Sequence, residues 1–317
     1  MSNGLMFGVS GSGIVLPILV DSLGQILTSP GGGGGSGVEL YPAQCRVSLS
    51  SVLAVPTSDI TAATTVYLLP YNGDRLSLFD GVSAWTDLQV TSQSVSVPAT
   101  TFTPFDIFDY NNAGSVALET VNWSSDTARA TGLTLQNGIW CKLGQTSRRY
   151  MGTGRTTGVS GQIEDSIFNR SIWNYYNQVK RIGITYNSTS NWTYTTTSWR
   201  ENNAGTGQVR FKFIIGLPSA CNLTSFLGMS NTNAGGASVG IAIDAVDGSG
   251  KVASVSGSNS QYGLQSPGGV ASLAAGYHYM TGIEYGNVTM TNFGSGGVTP
   301  SLTSTYQFSE ARMEIME

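Results

Sequence analysis

The chain has 317 residues, only 11% of them charged, with 10% aromatics and 41 glycines, where an ordinary soluble domain is about one-quarter charged. That balance excludes coiled coils and helical bundles, and the aromatics exclude a disordered Gly/Ser chain. A net charge of −4 with 15 basic residues excludes a phosphate-backbone footprint, and therefore nucleic acid as the main partner.

Residues 1–38 contain no Lys or Arg and end in a glycine-rich run at 29–37, a flexible tether by composition. The apolar stretch 13–20 is too short for a membrane span of about 20 residues and has no basic flank, so neither membrane insertion nor a secretory signal is expected. It reads either as a strand that docks on a partner chain or as a terminal strand of its own sheet. From residue 39 onward, short alternating runs at 45–52, 64–71, 75–81 and 93–99 are separated by turn signals, the spacing of sandwiches and barrels. Residues 104–114 and 115–123 resume the alternation around an Asn-Asn-Ala-Gly turn. Asn137–Gly138 predicts a hairpin at 133–144, because that pair accepts positive φ.

One segment breaks the period. Phe168, Ile172, Tyr175 and Val179 recur at helical spacing, with Glu164 and Asp165 ahead of them and Lys180 and Arg181 behind, which suits a helix macrodipole. The pattern predicts one short helix near 163–179. Alternating runs then follow at 181–187, 191–200, 208–218, 237–245, 277–286, 287–294 and 304–317, with loops expected at 231–236 and 248–263. The expected fold is mainly β, with β-sandwich or jelly-roll-like domains. Its parts are an arm at 1–38, a β-rich domain at 39–182 that ends in the helix, and a second β-rich domain at 183–317.

Chemistry is sparse. His278 is the only histidine, so a metal site built on several histidines within one chain is excluded by arithmetic. No GxSxG places a serine nucleophile beside it. Acidic pairs at Asp106/Asp109, Glu164/Asp165 and Asp244/Asp247 have the residue types of a glycosidase, yet each also suits a strand end, helix start or turn. The run 152–158 lacks the GK[ST] ending of a P-loop. Cys45, Cys141 and Cys221 are widely spaced and allow at most one intrachain disulfide. No catalytic residue, metal site or cofactor is assigned. The candidate glycan or receptor contacts are the rings of Trp192, Tyr194 and Trp199, because Trp and Tyr faces stack on sugars when exposed and build the core when buried.

Three blocks carry a resemblance: residues 65–85, residues 104–158 with TSRRYMGTGRTTG, and residues 161–181 with EDSIFNRSIWNYYNQV. With 192–203 and, more loosely, 276–286, they resemble a family of tailed-bacteriophage virion structural proteins, met as fibre-like, tail-associated or head-surface proteins. The chain departs from the commoner pattern at both ends, in the glycine-rich arm and in the final TYQFSEARMEIME. The resemblance implies a non-enzymatic homotrimer on the particle surface, made in the bacterial host cytoplasm, docked to other virion proteins through residues 1–38 and presenting later loops to a host surface glycan or protein. A head fibre or capsid decoration protein is the alternative within this class, and a glycan-degrading spike enzyme or a cellular adhesin lies outside it. Arg148, Arg149, Arg155, Glu164, Asp165 and His278 are the candidate assembly residues, the arginines as partners for the two acids in local or intersubunit ion pairs.

Overall fold

The computed structural model describes residues 6–9, 15–18, 41–232, 237–257, 261–265, 268–269, 272–286, 289–298 and 309–317. Two units result, Met1–Pro42 and Ala43–Glu317. In the first, the apolar run supplies the strand Val15–Ile18, which pairs antiparallel with Met6–Val9 in a hairpin of its own. The glycine tether lies outside the described residues.

In the larger unit the alternating sequence folds as short strands in face-packed sheets. Cys45–Ser48, Thr65–Pro70 and Gln93–Ser96 form one small sheet, and Arg75–Phe79 pairs with Trp85–Gln89. A larger sheet runs Ser115–Asn122, Pro104–Asn112, Gln145–Arg155, Ile139–Lys142, Leu133–Gln136, with Ile172–Asn174 also on Gln145–Arg155. Val47, Leu68, Leu78, Phe105, Ile107 and Met151 belong to the core that these strands share. Asn137 and Gly138 both take positive φ, 51° and 80°, so the Asn-Gly hairpin forms as expected. The turn at 111–114 has Ala113 and Gly114 at 52° and 94°.

The second core lies between two long sheets. One runs Lys251–Gly257, Ala237–Ile243, Gly276–Gly286, Phe211–Ile215, Asn169–Arg170, Ile163–Ser166, Ile60–Ala63. The other runs Asn191–Tyr194, Met290–Phe293, Asn222–Thr232, Glu310–Met316, Lys180–Asn187, Gln208–Val209. Phe211, Phe213, Phe226, Ile241, Met280 and Met313 are buried together there. The first of these sheets takes strands from both sides of residue 182, so the two expected β-rich halves are joined by a common sheet. Part of the loop expected at 248–263 is strand: Lys251–Gly257 pairs with Ala237–Ile243 because Ala253 and Val255 alternate onto the core.

The helix expected near 163–179 does not form. Ile163–Ser166, Asn169–Arg170 and Ile172–Asn174 are strands instead. The Ser166 hydroxyl accepts from the amides of Phe168 and Asn169 at 3.3 and 3.1 Å, closing a turn where a helix would continue. Asp165 and Arg170 then pair across that turn, and Asn177 takes φ 54°. The helical spacing of four apolar residues is outweighed by a local serine turn and by β-branched and aromatic residues that favour extended backbone. The described helical structure is one 3₁₀ turn at Asn202–Gly205, and no helix among the described residues is long and apolar enough to cross a membrane.

Candidate functional site

The aromatics singled out from sequence divide by burial. Trp192 and Tyr194 are buried. The Trp192 indole N–H donates to Glu284 at 2.6 Å, and the same carboxylate accepts from Arg200 Nε at 2.7 Å, the Asn203 amide at 3.1 Å and the Asn292 side chain. Burial raises the Glu284 carboxyl above its ordinary range, and these donors oppose the shift. Arg200 lies 3.8 Å over the Tyr194 ring, and the Tyr194 hydroxyl donates to the Ser198 carbonyl at 2.8 Å. These two rings hold the fold, and of the three only Trp199 reaches the surface, half-buried.

Within the chain, Arg148, Arg149 and Arg155 take partners other than Glu164 and Asp165. Arg148 bonds Glu119 at 3.0 Å and covers Tyr110. Arg149 is buried, donating to the Ser77 carbonyl at 2.7 Å and to Tyr176 at 3.2 Å. Asp165 is buried between Arg170 and Arg181 at 3.0 and 3.2 Å, while Glu164 accepts from Ser166 and Asn169 at 2.5 and 3.2 Å. His278 is buried with both ring nitrogens occupied inside the chain, Nδ1 on Asp244 at 2.6 Å and Nε2 on the Ala274 carbonyl at 2.9 Å. Both partners are acceptors, so the doubly protonated ring satisfies both. Burial lowers the ring pKa, and the two hydrogen bonds together with the Asp244 charge outweigh it to give a net rise. Among the described residues no group of three or more His, Cys, Asp or Glu is placed to hold a metal ion. The three cysteines are buried thiols.

Arg155 leads to the site. It forms a bidentate pair with Asp126 at 2.9 and 3.1 Å and lies 3.8 Å over Tyr277 and 5.6 Å over Phe102. Phe102 is held at φ 49°, a left-handed conformation that is rare for a bulky residue, with 61% of its surface exposed. On the strand Gly276–Gly286 the side-chain period of two puts Tyr277, Tyr279 and Tyr285 on one face, opposite the buried His278 and Met280. All three tyrosines are half-buried, and each stands in a cation–aromatic set. Arg210 lies 4.4 Å over Tyr279 while bonding Glu201 twice at 2.7 Å. Trp199 packs on Tyr285 at 5.5 Å, with Lys251 4.8 Å over the Trp199 ring. The carboxylates of Asp126 and Glu201 fix two of the cations, and so the ring positions.

Across this strand the register extends the same face. Tyr279 pairs with Lys212, Lys212 with Asn169, and Asn169 with Ser166. Beside this row opens a cleft of about 350 Å³ that includes Glu164, Phe168, Asn169, Val209, Arg210 and Lys212 in its lining. Of the residues singled out from sequence, Trp199, expected as a ring contact, and Arg155, expected as an assembly residue, stand here; Tyr277, Tyr279, Tyr285, Arg210 and Lys212 were not singled out. The alternation in YHYMTGIEY was the available signal for the tyrosines. The cations come from distant strands and left no local sign.

No protein-family model matches the chain, and the search of curated proteins gives no match. Among solved structures, the chain is similar to the insecticidal delta-endotoxin Cry8Ea1 of Bacillus thuringiensis, at 8% identity and a TM-score of 0.23, covering 86% of this chain and 51% of that one. A tryptic core variant of Cry1Da from Bacillus thuringiensis gives 6% identity and a TM-score of 0.20, covering 80% and 48%. The chain spans about half the length of the structures it matches, and a likeness this low carries no functional argument.

Proposed function

We propose that the chain is a structural protein of the bacteriophage particle surface, a homotrimeric fibre or tail-associated subunit that meets host-surface glycan through the tyrosine face of the strand Gly276–Gly286. The observation that carries this reading is the row of three half-exposed tyrosines, each in a cation–aromatic set and two of these fixed by a carboxylate. Rigid amphipathic rings with adjacent polar groups suit sugar rings, which offer both an apolar face and hydroxyls. The mainly β scaffold with few charges, and the resemblance of the blocks at 65–85, 104–158 and 161–181, support the particle-surface assignment. Among the described residues, Lys251–Gly257 and Asn191–Tyr194 are the outermost strands of their sheets, the kind of edge that symmetric assembly covers. The hairpin Met6–Val9/Val15–Ile18 is then the element that docks on the particle.

Gold-labelled antibody against the purified chain tests the assignment on phage particles from the source lysate. Label at the tail supports the fibre reading, label over the head moves the protein to the head-fibre or decoration class, and unlabelled intact particles overturn it. Light scattering of the purified chain is expected to give the mass of three chains.

A further inference from the structure

We propose that the cleft beside Tyr279 binds a pyranose ring bearing a carboxylate, as in a hexuronic acid unit of a surface polysaccharide. The inference rests on the saccharide reading above and assigns its chemical class and place.

Lys212 carries it. This residue is exposed in the middle of a sheet, with Tyr279 on one neighbouring strand and Asn169 on the other. Arg129, Arg148, Arg155, Arg170, Arg181, Arg200 and Arg210 each have a carboxylate within ion-pair distance, whereas Lys212 makes no ion pair among the described residues. Its three ammonium donors therefore line the cleft without a carboxylate in ion-pair contact among the described residues. Arg210 spends Nε and Nη2 on Glu201, and its Nη1 makes no described hydrogen bond. On the far side of Asn169 stands Glu164, whose two oxygens each accept one bond, from Ser166 and Asn169. A carboxylate retains further acceptor capacity after two bonds.

The row thus presents cationic donors at one end, an amide in the middle and an acceptor at the other. An inorganic anion would use the first end only and would sit close to the Glu164 charge. A neutral sugar would leave Lys212 unmatched. A sugar acid uses both ends: its carboxylate accepts from Lys212 and Arg210, and a ring hydroxyl donates to Glu164. Phe168, half-buried against Tyr186 at 5.7 Å, supplies an apolar wall.

Calorimetric titration of the full chain with trigalacturonate and with its methyl ester separates the outcomes, because esterification removes the charge and leaves the rings. The free acid is expected to bind about tenfold more tightly than the ester, the size of one charge-assisted contact, and more weakly as salt rises. Lys212→Gln is expected to remove that preference, and Lys212→Arg to keep most of it. Lys212 is exposed, so both variants should melt with the wild type. If Lys212→Gln keeps the preference, or if acetate at the same concentration displaces the ligand, the cleft assignment is overturned while the saccharide reading stands. Absence of binding to both ligands and to a panel of neutral and acidic polysaccharides overturns the two together.

Discussion

Replacing Glu284 by Gln tests whether Trp192 and Tyr194 belong to the fold rather than to a binding surface. The carboxylate is fully buried and accepts from four donors, two on each oxygen. An amide has one oxygen, so whichever way it is oriented, two of those donors meet an NH₂ group. Two hydrogen bonds worth about 1 kcal/mol each are lost, and two donors, buried or part-buried, are left with a desolvation cost of about 1 kcal/mol or more each. The expected loss is roughly 3–5 kcal/mol, the usual scale for breaking a buried charged pair. At about 2 °C per kcal/mol for a unit of this size, the melting temperature should fall by roughly 6–10 °C in a calorimetric scan. Trp192→Phe removes one donor and should cost about one-third as much. A Glu284→Gln protein that melts within about 1 °C of the wild type would refute the argument and return Trp192 to the candidate contacts.

Burial pushes the fully buried Asp109 carboxyl up to about 7, against the opposing Arg149, and neither of its oxygens has a described hydrogen-bond partner. A raised folded-state pKa means that its contribution is full below the ordinary carboxylate range near 4 and is lost as pH rises to about 7. Asp109→Asn should therefore flatten the fall in stability between pH 4 and 7 measured by urea titration; an unchanged slope contradicts this. His278 also has a raised pKa, so its stabilisation is full below its ordinary value of 6.5 and declines above it. His278→Gln should narrow the stability difference between pH 6 and pH 8, and the ring-proton shifts of His278 should titrate above 6.5 in an NMR series. Burial first, then the nearby acids Asp109 and Asp74, pushes the Cys45 thiol up to about 12, and burial takes Cys221 to about 12. Iodoacetamide at pH 8 should label neither until the protein is unfolded, as read by mass spectrometry.

What was legible in the sequence was local. Asn137–Gly138 declared its hairpin because positive φ is a property of the two residues themselves. The alternation at 277–286 made a strand legible there, while the burial of His278 and the exposure of its tyrosine neighbours appear only in the structure. The segment 163–179 misled because four apolar residues matched a helix, while the competing signal was one serine hydroxyl closing a turn. The partners of the charged residues were not legible at all. Trp192 is buried by a carboxylate 92 residues away, and Arg155 reaches Tyr277 through an arrangement of sheets that no spacing encodes. Burial decides whether a ring is core or contact, and burial is a non-local quantity.

The most direct measurement of the central claim is binding of the purified chain to a panel of bacterial surface polysaccharides, with Tyr279→Ala and Tyr285→Ala beside the wild type. Each ring is half-buried at the surface, so both variants should stay folded, and loss of one stacking ring should weaken binding about tenfold through contributions of roughly 1 kcal/mol or more. Binding of the wild type to at least one polysaccharide, weakened in both variants, is the predicted result. Equal binding by all three proteins, or none by the wild type, would contradict the tyrosine face as the site of contact.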